Sequence, residues 1–401
     1  MMMDTFPQDN DSNNQTDNTP PVRSLKELID RVTGRSLSSL PQEDTGLAEP
    51  LPYPFLALVG QPELRLALIL AIINPYIGGV LLIGPRGTGK STAVRSILGL
   101  LPDVERSNCP FGCLPEDIET NGMDAVCPDC AKKYGQGEPI SRWEPTRLIE
   151  LPLSSQIEDV IGGIDEQGAI HHRMQLRRGI LANADRNILY VDEINLLANE
   201  IVNSILDAAA AGTYTIRRGP ISATYRSRFI LIGSMNPEEG ILRPQIMDRF
   251  GLRVLVNGLQ NPTQRLEVYR RVRAYQSNPQ SFISEFAQET ELAKKEIIQA
   301  REILPHVKIP DDIALAGLNV IQTLQIQSQR AEHALFESAR AYAAADHRRE
   351  VTLEDIQAVG RMTLRLRNSP WIEKPLDQSD EETIVNAFSS PPFSPLKMTD
   401  E

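Results

Sequence analysis

A chain of 401 residues, 41% hydrophobic and 23% charged, is long enough for two or three compact domains with a sizeable core. Its formal charge of −12 sits mostly at the ends: residues 1–50 carry nine acids against four bases and residues 368–401 seven against two, so the stretch between is nearly neutral. That leaves no basic excess for a phosphate backbone, and 5% aromatic residues offer little for stacking bases, so nucleic acid is not an expected partner. The longest apolar run, Leu66 to Ile73, is far shorter than the ~20 residues of a membrane span. No Lys or Arg precedes Arg23, which argues against a secretory signal. No membrane association and a cytoplasmic location are therefore expected.

The first twenty residues are too polar to repay ordering and are expected to be disordered. Ser24 to Val32 could form a short helix, and Pro41, Pro50, Pro52 and Pro54 mark an extended linker, so residues 1–54 form an acidic segment ahead of the folded body. Over residues 55–260 strand-like and helix-like segments alternate. Val80 to Ile83, Asn187 to Val191 and Phe229 to Ile232 are apolar runs suited to buried strands, while Gln61 to Ile73, Ser91 to Leu101 and Glu200 to Ala211 read as helices. This is an α/β domain with a parallel sheet. Residues 261–367 form a second, all-helical domain, with helices expected over 263–274, 283–303, 311–324, 330–345 and 353–366, the last capped by Thr352. Residues 368–401, acidic and rich in Pro and Ser, are expected to be a disordered tail.

Gly84-Pro85-Arg86-Gly87-Thr88-Gly89-Lys90-Ser91, followed by Thr92, is a full phosphate-loop pattern between a predicted strand and a predicted helix. The glycines let backbone N–H groups point at phosphate oxygens, Lys90 reaches the β- and γ-phosphates, and the Ser91 hydroxyl binds Mg²⁺. The strand ending in Asp192-Glu193 supplies the partner element: Asp192 for Mg²⁺ and Glu193 to polarise the attacking water. A third strand ends in Ser234-Met-Asn-Pro237, where Asn236 is the candidate to touch the γ-phosphate. ATP and Mg²⁺ are the expected ligands.

With these motifs in place the chain resembles the AAA+ ATPases, P-loop NTPases with a helical lid, and more closely the ATPase I subunit of magnesium chelatase. The resemblance runs from Leu58-Val-Gly-Gln61 through Tyr190-Val-Asp-Glu-Ile-Asn-Leu-Leu197, Gly233-Ser-Met-Asn-Pro-Glu-Glu-Gly240, Leu242-Arg-Pro-Gln245 and Asp248-Arg-Phe-Gly-Leu252 into Gln329-Arg-Ala-Glu332 and Ala339-Arg-Ala-Tyr-Ala-Ala344. It implies that Arg249 is an arginine finger reaching a neighbouring subunit's ATP, Arg243 a second interface arginine and Arg330 the sensor-2 arginine. A guanidinium suits each because it is permanently charged and bidentate toward phosphate. It also implies a homo-oligomeric, hexameric ring that powers Mg²⁺ insertion into protoporphyrin IX in (bacterio)chlorophyll biosynthesis, with a D-type AAA+ subunit bearing a metal-binding adhesion-type domain and a porphyrin-binding H-type subunit. The rival is a MoxR-like AAA+ ATPase that remodels another client through a metal-binding adhesion-type partner.

Lys90 and Asp192 lie too far apart in sequence for one helix and one strand, so insertions are expected between them: a cysteine-bearing one at 105–140 and a second at 157–180 resembling the family's helix-2 insert. A further hairpin at 212–226 alternates around Gly219-Pro220. His171 and His172 face opposite ways on a strand and read as solvated. Cys109-Pro-Phe-Gly-Cys113 and Cys127-Pro-Asp-Cys130 are two close pairs thirteen residues apart, the pattern of a Zn²⁺ knuckle; a redox-sensitive thiol pair or unpartnered surface thiols are the alternatives.

Overall fold

The computed structural model describes residues 51–109, 111–164, 176–218, 221–367 and 382–386. The N-terminal segment to residue 50, His171 and His172, the Gly219-Pro220 turn and most of the expected tail lie outside the described residues. The strands are β1 (Val80–Ile83), β2 (Val104–Ser107), β3 (Ser141–Glu144), β4 (Leu148–Glu150), β5 (Gly162–Ile164), β6 (Leu176–Arg178), β7 (Ile188–Val191), β8 (Thr213–Arg218), β9 (Ile221–Arg226), β10 (Ile230–Met235) and β11 (Leu252–Leu255). Five of them form a parallel sheet in the order β11-β1-β10-β7-β4. Both expected insertions and the hairpin appear as antiparallel pairs: β2 with β3 frames the cysteine segment, β5 pairs with β6, and β8 with β9.

Two sheet strands, β4 and β11, do not show in the apolar pattern. β4 has only three residues. β11 carries Arg253 in its middle, a guanidinium that is wholly buried and that breaks the apolar run expected of such a strand.

Helices of seven or more residues are α1 (Pro62–Ile73), α2 (Lys90–Ser96), α3 (Pro115–Asn121), α4 (Pro128–Gly135) and α5 (Asn199–Ala211), then in the helical domain α6 (Pro262–Ser277), α7 (Pro279–Glu285), α8 (Ala287–Ile303), α9 (Asp311–Thr323), α10 (Gln329–Ala345) and α11 (Leu353–Leu364). Proline opens α1, α3, α4, α6 and α7, where its missing N–H costs no helical bond. The side chains of Asn261 and Asn278 cap α6 and α7. Thr352 is indeed the residue before α11, and its N–H donates to the Asp355 carboxylate (2.8 Å).

The single helix expected over 283–303 is two, broken at Phe286. That ring lies 5.3 Å from Phe282, which packs in turn on Tyr275 and Tyr53. Tyr53 thus belongs to the folded body rather than to the linker. The expected tail is corrected likewise: residues 382–386 form a helical turn, and Ile384 is 1% exposed within the core.

The sheet's two faces bury two sets of side chains, as strand alternation requires. Leu81, Ile83, Leu189, Val191 and Leu231 pack against α5 residues such as Ile201 and Ile205. Val80, Leu82, Ile188, Tyr190 and Ile232 pack on the other side with α1. That second core runs on without a gap into the helical domain, through Ile297, Val320, Leu335, Met362 and Ile384. Among the described residues no helix is long and apolar enough to cross a membrane.

Ile384→Ala is expected to destabilise the chain by about 2 kcal/mol or more, the usual cost of emptying a buried aliphatic site. Thermal unfolding checks this, and an unchanged Tm would take Ile384 out of the core.

Candidate active site

β1 lies between β10 and β11, so the loop after it opens at the C-terminal edge of the sheet, where the connections diverge. Gly84 donates its N–H to the Met235 carbonyl (3.1 Å), and a Cβ there would stand 2.1 Å from the carbonyl oxygen of Val256. Only glycine fits between the two neighbouring strands. Gly87 and Gly89 take left-handed conformations (φ +77° and +85°) and face open space. The Lys90 ammonium donates to the carbonyls of Gly84 (2.7 Å) and Pro85 (2.8 Å). Burial lowers its pKa, against the opposing pull of Asp192, Glu193 and Glu239.

Asp192 stands at the end of β7 within reach of three hydroxyls. Ser91 Oγ donates to one oxygen (3.3 Å), and Tyr190 (2.8 Å) and Ser234 donate to the other. Burial alone would raise this carboxyl's pKa; the hydroxyls of Ser234, Tyr190 and Ser91 outweigh it and keep the group ionised. Burial pushes the Tyr190 phenol up to about 12, so it stays a donor. Ser91 and Asp192 together offer the hard oxygen ligands that Mg²⁺ prefers, and the residues present fit that ion.

Glu193 adopts a left-handed backbone (φ +51°), uncommon for a non-glycine residue, with its N–H held by Ser234 Oγ (3.1 Å). Its carboxylate meets the Arg86 guanidinium (2.9 Å), which also pairs with Glu239 (2.7 Å). Asn236 is buried directly after β10, and its Oδ1 accepts the N–H of Glu238 (3.3 Å). Lys90, Ser91, Asp192, Glu193 and Asn236 thus gather at the ends of adjacent strands. Sequence reasoning passed over Tyr190 and Ser234: each lies in a strand otherwise rich in apolar residues, and only pairing of β7 with β10 brings both hydroxyls to Asp192.

Beside the loop lies a cleft of about 540 Å³, lined by Gly87, Thr88, Gly89 and Thr92 on one side and Tyr53, Leu58, Val59, Gln61, Leu259, Arg265, Val268 and Val272 on the other. Its size and mostly apolar far wall suit a nucleoside. Of that far wall, only Leu58, Val59 and Gln61 lie in a stretch that the sequence singles out.

The three arginines are placed differently. Arg249 pairs with Asp207 of α5 (2.5 Å), and Arg330 lies 3.5 Å from the Asp248 carboxylate. Both line a second cleft of about 960 Å³ together with Pro244, Ser328 and Arg367, and this cleft shares no residue with the first. Arg243 is exposed at the start of the helical turn Pro244–Met247 nearby. Neither Arg249 nor Arg330 lines the cleft beside the loop. The four cysteines do come together, with all four sulfurs within 4.8 Å of one another.

Comparison with known proteins points one way. The family described as magnesium chelatase, subunit ChlI, matches residues 157–260, and the AAA lid domain family matches residues 319–387. A Methanocaldococcus jannaschii protein named magnesium-chelatase subunit ChlI homolog is 43% identical over 84% of this chain and 91% of its own length. Magnesium-chelatase subunit ChlI of Nostoc sp. is 37% identical over 82% of this chain and 88% of its own. A crystal structure of a candidate ATPase from Cytophaga hutchinsonii, 18% identical, aligns with a TM-score of 0.54 over 82% of this chain and 90% of that one, a likeness of fold. The sheet order and helical domain are the AAA+ architecture.

Ser234→Ala removes a donor to Asp192 and the acceptor that holds the Glu193 N–H. A loss of about tenfold or more in Mg²⁺-dependent ATP turnover is expected, the scale of one hydrogen bond to a charged group. Steady-state ATPase measured against Mg²⁺ concentration checks it.

Proposed function

The chain belongs to the magnesium-chelatase ChlI subunit family, and from that premise we propose that it is the ATP-hydrolysing motor of such a chelatase, working as a ring of identical subunits. The observation that carries the ring is the division of the machinery. Loop, acids and base cleft lie at one place, whereas Arg249 and Arg330 line another cleft. Phosphoryl transfer needs cations where charge develops on the γ-phosphate. A second copy presenting its Arg249 and Arg330 to the first copy's loop would supply them, with Arg243 at the same boundary. A six-membered ring is the closed arrangement this reading adopts.

Within one subunit, the base would enter the cleft between Val59 and Val268 while the loop N–H groups and Lys90 hold the phosphates. Mg²⁺ at Ser91 and Asp192 would withdraw charge from the transferring group. Glu193, held in its unusual backbone turn, orients and deprotonates the attacking water, and Asn236 fixes the γ-phosphate side of that water. Arg86 binds the Glu193 carboxylate and would have to yield it when water is in place. Hydrolysis would then power Mg²⁺ insertion into protoporphyrin IX by a separate porphyrin-binding subunit, through a D-type partner, in the cytoplasm. Mg²⁺ serves this reaction; Zn²⁺, one of the readings of the four cysteines, would be structural.

Glu193→Gln is expected to bind ATP as the unaltered chain does and to lose at least ~100-fold in turnover. Near-normal steady-state rates would remove Glu193 from its role. Mixing Arg249→Ala chains with Lys90→Ala chains should give more ATPase activity than either alone, because some boundaries then join an intact loop to an intact finger. A mixture no better than its parents would overturn the shared site.

A further inference from the structure

Between β2 and β3 the chain makes a small module with almost no apolar interior of its own. Cys113, Cys130 and Ile140 are its buried core, with Ile118, Val126 and Tyr134 packed at the edge. A module of this size needs a staple. Its cysteines are unpaired thiols and come from both halves: Cys109 and Cys113 from the turn after β2, Cys127 and Cys130 from the start of α4. Two sulfurs already accept backbone N–H groups, Cys109 Sγ from Cys113 (3.4 Å) and Cys113 Sγ from Cys127 (3.3 Å), and the Ser107 hydroxyl lies 3.3 Å from Cys109 Sγ. Such donors surround bound thiolates in metal sites, orienting the ligands.

We propose that Cys109, Cys113, Cys127 and Cys130 bind a single Zn²⁺, and that the metal holds the module as a clamp on the base of the β8–β9 hairpin. The sulfurs, all within 4.8 Å of one another, need only a small contraction to reach the edges of about 3.8 Å in a tetrahedron with Zn–S bonds of about 2.3 Å. A set converging on one point has room for one ion; the thiolates of an iron–sulfur cluster must stand around two or four irons. Binding takes the thiols as thiolates, releasing their protons to water.

The clamp follows from what α3, which lies between the two cysteine pairs in the chain, presents to the hairpin. Asp117 uses one oxygen to accept the Leu114 N–H at the start of α3 (2.9 Å) and the other to meet Arg226, the last residue of β9. Glu116 beside it meets Arg186 (2.5 Å), with Arg226 (3.7 Å) and Arg228 (3.6 Å) close by. Two carboxylates on the module that the metal would order therefore face three guanidiniums at the root of the hairpin and the turn before β7. Without the metal the carboxylates lose their fixed position, and the hairpin loses one side of its anchorage.

The test uses the full chain, purified under reducing conditions from zinc-replete cells. Elemental analysis should give close to one Zn²⁺ per chain, released as a mercurial caps four thiols, and Cys130→Ser should lower the metal content at least about fivefold. Hydrogen exchange over residues 213–217 and 222–226 should then quicken by about tenfold when the metal is removed, while ATP still binds at the loop. Asp117→Asn should quicken the same residues with zinc still bound, separating the ion pairs from the metal. Iron with visible absorption, two disulfides by mass, or metal-free protein would overturn the site. Zinc present with hairpin exchange unmoved by its removal would overturn the clamp.

Discussion

The Asp248 carboxylate is where charged groups of the helical domain are gathered onto the end of the α/β domain. Arg367 donates to it from beyond α11 (2.8 Å), Ser328 donates from the residue before α10 (2.8 Å), and Arg330 and Arg253 stand 3.5 and 3.6 Å away. Burial alone would raise its pKa, but the Ser328 hydroxyl and the charges of Arg367 and Arg253 reverse that and keep it a carboxylate. The dependence runs both ways. Arg253 is fully enclosed in β11, where an uncompensated cation would be strongly destabilising; its Nε donates to the carbonyl of Met247 (3.0 Å) and its Nη1 to that of Arg365 (2.7 Å). Arg367, whose pKa burial pulls down to about 10, also donates to the carbonyls of Phe250 and Gly251. The residue next to Asp248 is Arg249. The same carboxylate that anchors the lid thus sets the backbone from which Arg249 projects, and it holds Arg330 on the same side.

At the other end of the sheet a second carboxylate organises a smaller network. Asp192 draws hydroxyls from the phosphate-loop helix, from its own strand and from β10, so the two strands and the loop are registered against each other by side chains as well as by the ladder. Ser234 does two things there, donating to Asp192 and accepting from the Glu193 N–H. The position of the Asp192 carboxylate and the backbone conformation of Glu193 are therefore linked through one hydroxyl.

Much of this was legible in the sequence because it is local. The phosphate loop, the Asp192-Glu193 strand end, the 212–226 hairpin and most helices are written in short patterns of glycine, alternation and period. What was hidden depends on partners distant in the chain. β11 could not be read because Arg253 is acceptable only once Asp248 and two carbonyls surround it. Tyr190 and Ser234 look like strand filler until β7 pairs with β10. The break at Phe286 sets its ring on Phe282, which packs in turn on Tyr275 and Tyr53, the last from a stretch that reads as linker. Ile384 was masked by the acidic residues around it. For the cysteines the spacing showed two pairs, but the meeting of all four sulfurs is a property of the fold alone.

The unbroken core beneath α1 has a mechanical meaning. Side chains from β1, β7, β10 and β11 interlock with those of α8 to α11 in one close-packed cluster, and close-packed interiors resist deformation. A subunit built this way is a block, not two jaws on a hinge. Whatever stroke ATP drives would appear less as a bending of the block than in the slender hairpins that stand outside the shared core.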